Sequence, residues 1–433
     1  MVKTNKLSLN NEIELIFDAL KGLGAIKNIF STSSSFFDEP KLFVFKGVFG
    51  DIGNAITNSG YTVFPENINT AGTSFSSKSI ALLKCLSEGI ERICIASYRK
   101  TDITYAPRAD MPKALNLGYY GEDRLINDKK FGWVNARDIS HNSNVEIPAQ
   151  LIYHNYLSNN KSEKQLAPII STGASSGMSY VQTLLRGIYE VVERDAFMTV
   201  YLNKITVPEI DVEKLNDKKI KKIADTFKKY KLEWRVLDIT HDLSIPVMLS
   251  ILIDKSQFGP SVTFGLKCGF NKLQNIVGSG EEALMVRLSA RKLVQEGTSK
   301  NYEAFSTFEK IMYYRSIYWW SIDMLKKIDF FLNGKKTALK KSNIVFLNEK
   351  TELNYVITLL ADKSHFVYCK DITHDYFKTK GIIALKTIIP TLQPLFFKEQ
   401  GKYLNSERLK EVAQHYGKTF STNTLNTILH PFL

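Results

Sequence analysis

Cysteine is scarce and scattered. The 433-residue chain has four, Cys85, Cys94, Cys268 and Cys369, and no two form a Cys-x-x-Cys pair. Cys85 and Cys94 stand nine residues apart in one predicted helix, too far to bridge. A disulfide framework and a zinc ribbon are thereby excluded, and the pattern is that of a reduced, intracellular protein. The seven histidines are dispersed and form no zinc-spaced cluster. No apolar run approaches the roughly 20 residues that cross a bilayer. The N-terminus, MVKTNKLSLNNEIELIF, has no continuous apolar signal core. The expectation is a soluble, cytoplasmic chain with no membrane partner. Walker A, the kinase signature set and Gly-x-Ser-x-Gly are all missing. The commonest nucleotide-binding and serine-nucleophile frameworks are therefore ruled out.

Charge of one sign is not lacking. The net charge is +13, and lysines crowd residues 217–231 (DKKIKKIADTFKKYK) and 334–341 (GKKTALKK). In the first stretch Ile220, Ile223, Phe227 and Tyr230 recur at helical spacing. It reads as an amphipathic surface helix with a solvated lysine face, not as a nucleic-acid interface. A basic surface of this kind also attracts acidic peptides or partners. Apolar residues at 44% and aromatics at 12% are ample for a core.

The pattern along the chain is α+β. A helix is expected over residues 11–23 and a strand over 41–50. A small-residue loop, 70–79, then leads into a helix with Leu83, Leu86, Ile90 and Ile93 on its apolar stripe. A second such loop, 170–179 (ISTGASSGMS), leads into a helix over 180–202. Ser179 and Gln182 have the spacing of a capping box there. Strands are expected at 233–239, 246–253, 261–270, 344–347 and 366–370, and across 381–397 with two proline interruptions. A third long helix is expected over 280–296.

What stands out is a pentapeptide that occurs twice. Glu88-Gly-Ile-Glu91-Arg92 and Glu190-Val-Val-Glu193-Arg194 share Glu-x-x-Glu-Arg. Three-residue spacing puts both glutamates of each copy on one helical face. A single copy would be an ordinary pair of helix ion pairs, stabilising by roughly 0.2–0.5 kcal/mol. Two copies, each behind a Gly/Ser/Thr loop with backbone N–H groups to offer, suggest carboxylates gathered around a cation and a phosphate.

The segment STGASSGMSYVQTLLRGIYEVVERDAF resembles the core of the YcaO-domain family, and ALLKCLSEGIER resembles that family's earlier Glu-x-x-Glu-Arg helix. FGWVNARDISHNSNVEIPAQLIYHNY, IIPTLQPLFF and HPFL are similar to other family stretches, and together they resemble the streptolysin-S-type cyclodehydratase subunits of azole-peptide biosynthesis. The resemblance implies a YcaO-type α+β fold with mixed and antiparallel sheets and long helices that form an ATP site. It also implies an N-terminal region, 1–69, and a YcaO domain, 70–433. It assigns Mg2+ to Glu88, Glu91, Glu190 and Glu193, with Ser171, Thr172, Arg194 and Gln295 joining the two earlier glutamates at the nucleotide. Glu190, Glu193, Arg287 and His430 take catalytic places, His430 because the family's C-terminal tail runs into the active site.

The implied reaction converts Cys, Ser or Thr of a ribosomal precursor peptide into thiazoline or oxazoline at the expense of ATP. None of the chain's own cysteines is needed as a nucleophile. The implied partners are the peptide and a leader-binding docking protein related to ubiquitin-activating enzymes (ThiF-like). A flavin dehydrogenase and a homodimer stay open. A scaffold subunit, or a thioamide- or amidine-forming enzyme, are the other readings. The third helix departs from the family's Arg-x-x-x-Glu-x-x-Gln: Arg291 or Lys292 stands at the glutamate position, and Gln295 lies one residue late. The first loop lacks the family's lysine, for which Lys78 or Lys84 are nearby substitutes.

Overall fold

The computed structural model describes residues 8–32, 36–50, 60–62, 68–120, 129–154, 156, 163–167, 170–307, 314–340, 344–397 and 406–432. In chain order its longer helices are α1 (Leu9–Gly22), α2 (Lys78–Ala96), α3 (Tyr180–Leu202), α4 (Lys218–Lys229), α5 (Lys272–Gln295), α6 (Glu349–Ala361) and α7 (Ser406–His415). None of the described helices is long and apolar enough to cross a membrane. The chain divides into two compact units. The first holds residues 1–33, 43–191 and 348–391; the second holds 34–42, 192–347 and 392–433.

The first unit carries three antiparallel sheets, the smallest being the pair Tyr61–Thr62 and Tyr98–Arg99. Strands Ile26–Ser31, Phe43–Phe49 and Ile68–Ser74 form a three-stranded sheet in that order. Helix α2 lies on its last strand so closely that a side chain at Gly72 would strike the Ala81 carbonyl at 1.9 Å. Only glycine permits that approach. The six-stranded sheet runs Thr104–Pro107, Lys130–Asp138, Tyr368–Asp371, Ile383–Ile388, Ala174–Gly177, with Ser143–Pro148 paired to the second of these. Leu86, Ile90 and Ile93 of α2 sit at 0% exposure in a core shared with Leu20 of α1 and Ile147 of the six-stranded sheet. Three residues of the stripe expected from sequence are thus on the buried face of α2, and the fourth, Leu83, is half-buried against the same core.

The second unit is built on a five-stranded sheet ordered Val262–Cys268, Val247–Ile253, Glu233–Asp238, Glu209–Ile210, Lys336–Thr337. Its pairs are antiparallel except the last, which is parallel. Strand Val247–Ile253 is buried along its whole length, as a central strand covered on both faces must be. Phe197 stacks on Tyr201 at 5.2 Å and meets Phe432 edge-on at 4.7 Å. Beside them Arg408, fully buried, donates to Asp195 and Asp242. Asp195 also accepts the Gln393 N–H at 2.8 Å, so it packs the unit together. On α4, Ile220, Ile223 and Phe227 are buried and the lysines face outward, as the spacing predicted.

Several expectations needed correction. The third helix begins at Lys272, capped by Asn271, eight residues before the expected start at 280. Residues 344–347 form no strand: β-branched residues favour a pleated surface only when a neighbouring strand supplies one. Within 381–397 only Ile383–Ile388 is strand. The capping box at Ser179 is half made. Ser179 Oγ accepts the Gln182 N–H at 3.5 Å, while the Gln182 amide donates to Glu349 instead of reaching back.

Candidate functional site

The first unit brings Glu88, Glu91 and Glu190 together. Strand Ala174–Gly177 enters α3 and is tied to α2 by Ser176 Oγ, which donates to the Ser87 carbonyl at 2.7 Å. Glu88 accepts the Ala71 N–H at 3.1 Å, and Glu190 accepts the Gly173 N–H at 3.0 Å. In both cases the donor lies 17 residues before the glutamate. The first glutamate of each pentapeptide therefore closes its own loop-to-helix unit in the same way. Gly173 has φ +83°, and a Cβ there would meet the Thr387 carbonyl at 2.1 Å, so no other residue fits the turn.

Glu91 has the most perturbed environment of the three. Burial, and next the charge of Glu190, push its carboxyl well above the ordinary carboxylate range, while Arg92 and Lys386 pull it back. Arg92 also donates to Glu88 at 3.2 Å. Three carboxylates against two cations leave one formal negative charge.

Lys386 is the residue that sequence reasoning missed. It sits on strand Ile383–Ile388 opposite Ala174, is 2% exposed, and donates to the carbonyls of Ile170 (2.9 Å) and Thr172 (2.6 Å). Burial lowers its ammonium to about 8, against the pull of Glu190 and Glu91. One signal was available: a lone lysine inside an apolar strand run is rarely buried without a partner. His154 lies near Arg92 and Lys386. Burial and those two charges push its imidazole down to about 4, so it is neutral near pH 7.

The loop residues Ser171 and Thr172 are held by their backbones. The Ser171 carbonyl accepts the Ala174 N–H at 2.8 Å, and the Thr172 carbonyl takes Lys386. Lys84 donates to the Thr73 carbonyl at 2.8 Å, so the first loop also has a lysine bound to its backbone.

The other expected residues belong to the second unit. Glu193, 7% exposed, lies 3.8 Å from Arg194, whose guanidinium sits 5.2 Å over the Phe432 ring. Arg287 is buried, donating through Nε to both oxygens of Glu39 at 2.9 Å and pairing with Asp254 at 2.8 Å. Arg291, one of the two residues at the family's glutamate position, also pairs with Glu39 and with Asp38. Gln295 is exposed at the last turn of α5. His430 is 1% exposed, with its ring against the Phe396 carbonyl and its own carbonyl held by Arg315 at 3.1 Å. All four cysteines are buried, and burial raises each thiol, Cys94 and Cys369 to about 12. None is a ready nucleophile.

Among the described residues no three His, Cys, Asp or Glu side chains form a ready metal cage. Mg2+ keeps several waters and uses one or two carboxylates together with a nucleotide's phosphates. The half-buried Glu91 and Glu190 are an all-oxygen donor set whose repulsion a divalent cation would relieve.

A family profile described as YcaO cyclodehydratase, ATP- and Mg2+-binding, matches residues 74–393. The chain belongs to the YcaO family. ATP and Mg2+ are the ligands of that family. Solved YcaO structures share the fold. A heterocyclase in complex with substrate and cofactor superposes with a TM-score of 0.74 at 15% identity, over 97% of this chain and 57% of that one. YcaO from Methanopyrus kandleri, bound with AMPPCP and Mg2+, gives 0.67 at 13% identity over 92% and 95%. The E. coli microcin synthetase McbBCD complex gives 0.59 at 14% over 84% and 88%. In sequence, an uncharacterized protein of Methanothermobacter thermautotrophicus is 24% identical over 124 residues, 28% of this chain and 32% of that protein. The chain thus spans a third of this relative and little more than half of the first heterocyclase.

Proposed function

We propose that this YcaO protein is an ATP-dependent cyclodehydratase subunit that forms azolines in a ribosomal peptide, in the manner of the streptolysin-S-type subunits. The observation that supports the reading best is the group made by Glu88, Glu91 and Glu190 beside the Gly173 turn, with Lys386 and Arg92 as countercharges. Glu91 and Glu190 would hold Mg2+. Glu88 adds its charge, and Glu193 follows one turn later on the same helix. Bound there, ATP with Mg2+ supplies the phosphoryl group that turns a peptide amide oxygen into a leaving group after a neighbouring Cys, Ser or Thr has added to the carbonyl.

The chain's own part is positioning and electrostatics. Arg92 and Lys386 limit the charge of the empty carboxylates. The fixed turn 170–173 keeps its N–H groups in place, and neutral His154 adds no charge of its own. The buried cysteines stay out of the chemistry, so the attacking atom comes from the substrate. The peptide would be delivered by a separate leader-binding protein, and a flavin dehydrogenase could oxidise the rings afterwards. Incubation with precursor peptide, ATP and that partner should remove one water mass per ring, and Glu190→Ala should abolish the loss. Unchanged peptide mass while the partner holds the peptide would count against the proposal.

One observation favours a second reading, a scaffold subunit. Arg287, assigned to the nucleotide by the resemblance, is engaged by Glu39 and Asp254. ATP·Mg2+ binding that is indifferent to a Glu190→Ala/Glu193→Ala double change would support the scaffold.

A further inference from the structure

Lys386 lies in the middle of an apolar strand and is almost wholly buried. A methionine would fill the same space without the cost of desolvating an ammonium. What methionine cannot do is donate. The two hydrogen bonds of Lys386 go to carbonyls two residues apart in one turn, Ile170 and Thr172, and the next residue's N–H holds Glu190. The ammonium thus ties the turn to the strand opposite Ala174. It also engages two carbonyl oxygens whose negative ends would repel a phosphate.

We propose that Lys386 is the positioning residue of this site: it clamps the 170–173 turn by two carbonyls and supplies the resident positive charge that lets Glu91 and Glu190 lie together before Mg2+ and nucleotide bind. The proposal rests on the nucleotide reading above and extends it to the metal-free protein. Lys386 reaches the Gly/Ser turn from a strand more than two hundred residues along the chain. Arg92 plays the corresponding part for Glu88, from the same helix.

The test uses the full chain, with Lys386→Met, Lys386→Arg, Glu91→Gln and the Lys386→Met/Glu91→Gln double variant. Without Mg2+ or nucleotide, Glu91→Gln should raise the melting temperature more in the Lys386→Met background than in wild type, and Lys386→Arg should keep most of the wild-type value. In calorimetry with Mg2+ and AMPPCP, Lys386→Met should weaken binding about tenfold or more, the scale of one charged hydrogen bond. Equal effects of Glu91→Gln in both backgrounds would overturn the proposal, and so would wild-type affinity in Lys386→Met. If Lys386→Met does not fold, a folded double variant supports the charge role, and a double variant that also fails overturns it. If wild type itself does not bind AMPPCP, the nucleotide reading falls, while the metal-free comparison still decides the role of Lys386.

Discussion

Neutralising Glu39 should unsettle the second unit far more than neutralising its neighbour Asp38. Both acids pair with Arg291, but Glu39 is 1% exposed and also takes the Nε–H of buried Arg287 on both oxygens. The Asp38 side chain is 58% exposed. Breaking a buried ion pair by removing one partner costs about 3–5 kcal/mol, because the other charge stays buried. Asp254 remains on Arg287 at 2.8 Å, which places Glu39→Gln near the lower end of that range, about 3 kcal/mol. Asp38→Asn removes an exposed pair and should cost under about 1 kcal/mol. Tryptophan fluorescence during urea unfolding is a suitable readout, since Trp234, Trp319 and Trp320 lie in the same unit as Glu39 and only Trp133 lies elsewhere. The midpoint shift multiplied by the slope gives the difference for that transition. Equal shifts for the two variants would refute the view that Arg287 is a buried anchor for residues 36–42. The same geometry gives Arg291 a reason. A glutamate at that position would face Glu39, whereas arginine completes the ion cluster.

Further outcomes follow from single residues. Gly173→Ala meets both a left-handed backbone and the Thr387 carbonyl, whereas Gly24→Ala meets a left-handed backbone (φ +72°) in open space. Differential scanning fluorimetry should show a loss of about 1–2 kcal/mol for Gly24→Ala and a clearly larger one for Gly173→Ala; equal losses would contradict the close packing. The His154 imidazole falls from 6.5 to about 4 on folding, so its contribution to stability is complete above pH 6.5 and is lost as pH drops toward 4. His154→Gln should flatten the decline of melting temperature between those limits, and an unchanged slope would contradict the burial argument. With all four thiols buried, a thiol-reactive dye should find no fast-reacting cysteine in the native protein at neutral pH; one rapid equivalent would contradict that.

Much of the architecture was legible because it depends on local periodicity. The Leu86-Ile90-Ile93 stripe is the buried face of α2, and Ile220, Ile223 and Phe227 are the buried face of α4. Where local pattern misled, tertiary structure decided. Residues 344–347 have strand chemistry but no strand partner among the described residues, and α6 begins directly after them at an Asn348 capping box. Helices α6 and α7 went unread, although Leu409, Val412 and Ala413 give α7 a buried apolar stripe at helical spacing. In the candidate site, the glutamates announced themselves by repetition. Lys386 and His154 did not, because their meaning lies in long-range contacts: a strand register and a carbonyl pair more than two hundred residues away for one, the nearby cations Arg92 and Lys386 for the other.

The central claim is that the carboxylates gathered in the first unit hold Mg2+ and nucleotide. Titration calorimetry with AMPPCP, with and without Mg2+, on wild type and a Glu91→Gln/Glu190→Gln double variant tests it most directly. The expected result is Mg2+-dependent binding to wild type that weakens at least about a hundredfold in the double variant, roughly tenfold for each charged ligand lost. Equal affinity in the two proteins, or binding to wild type that ignores Mg2+, would contradict it.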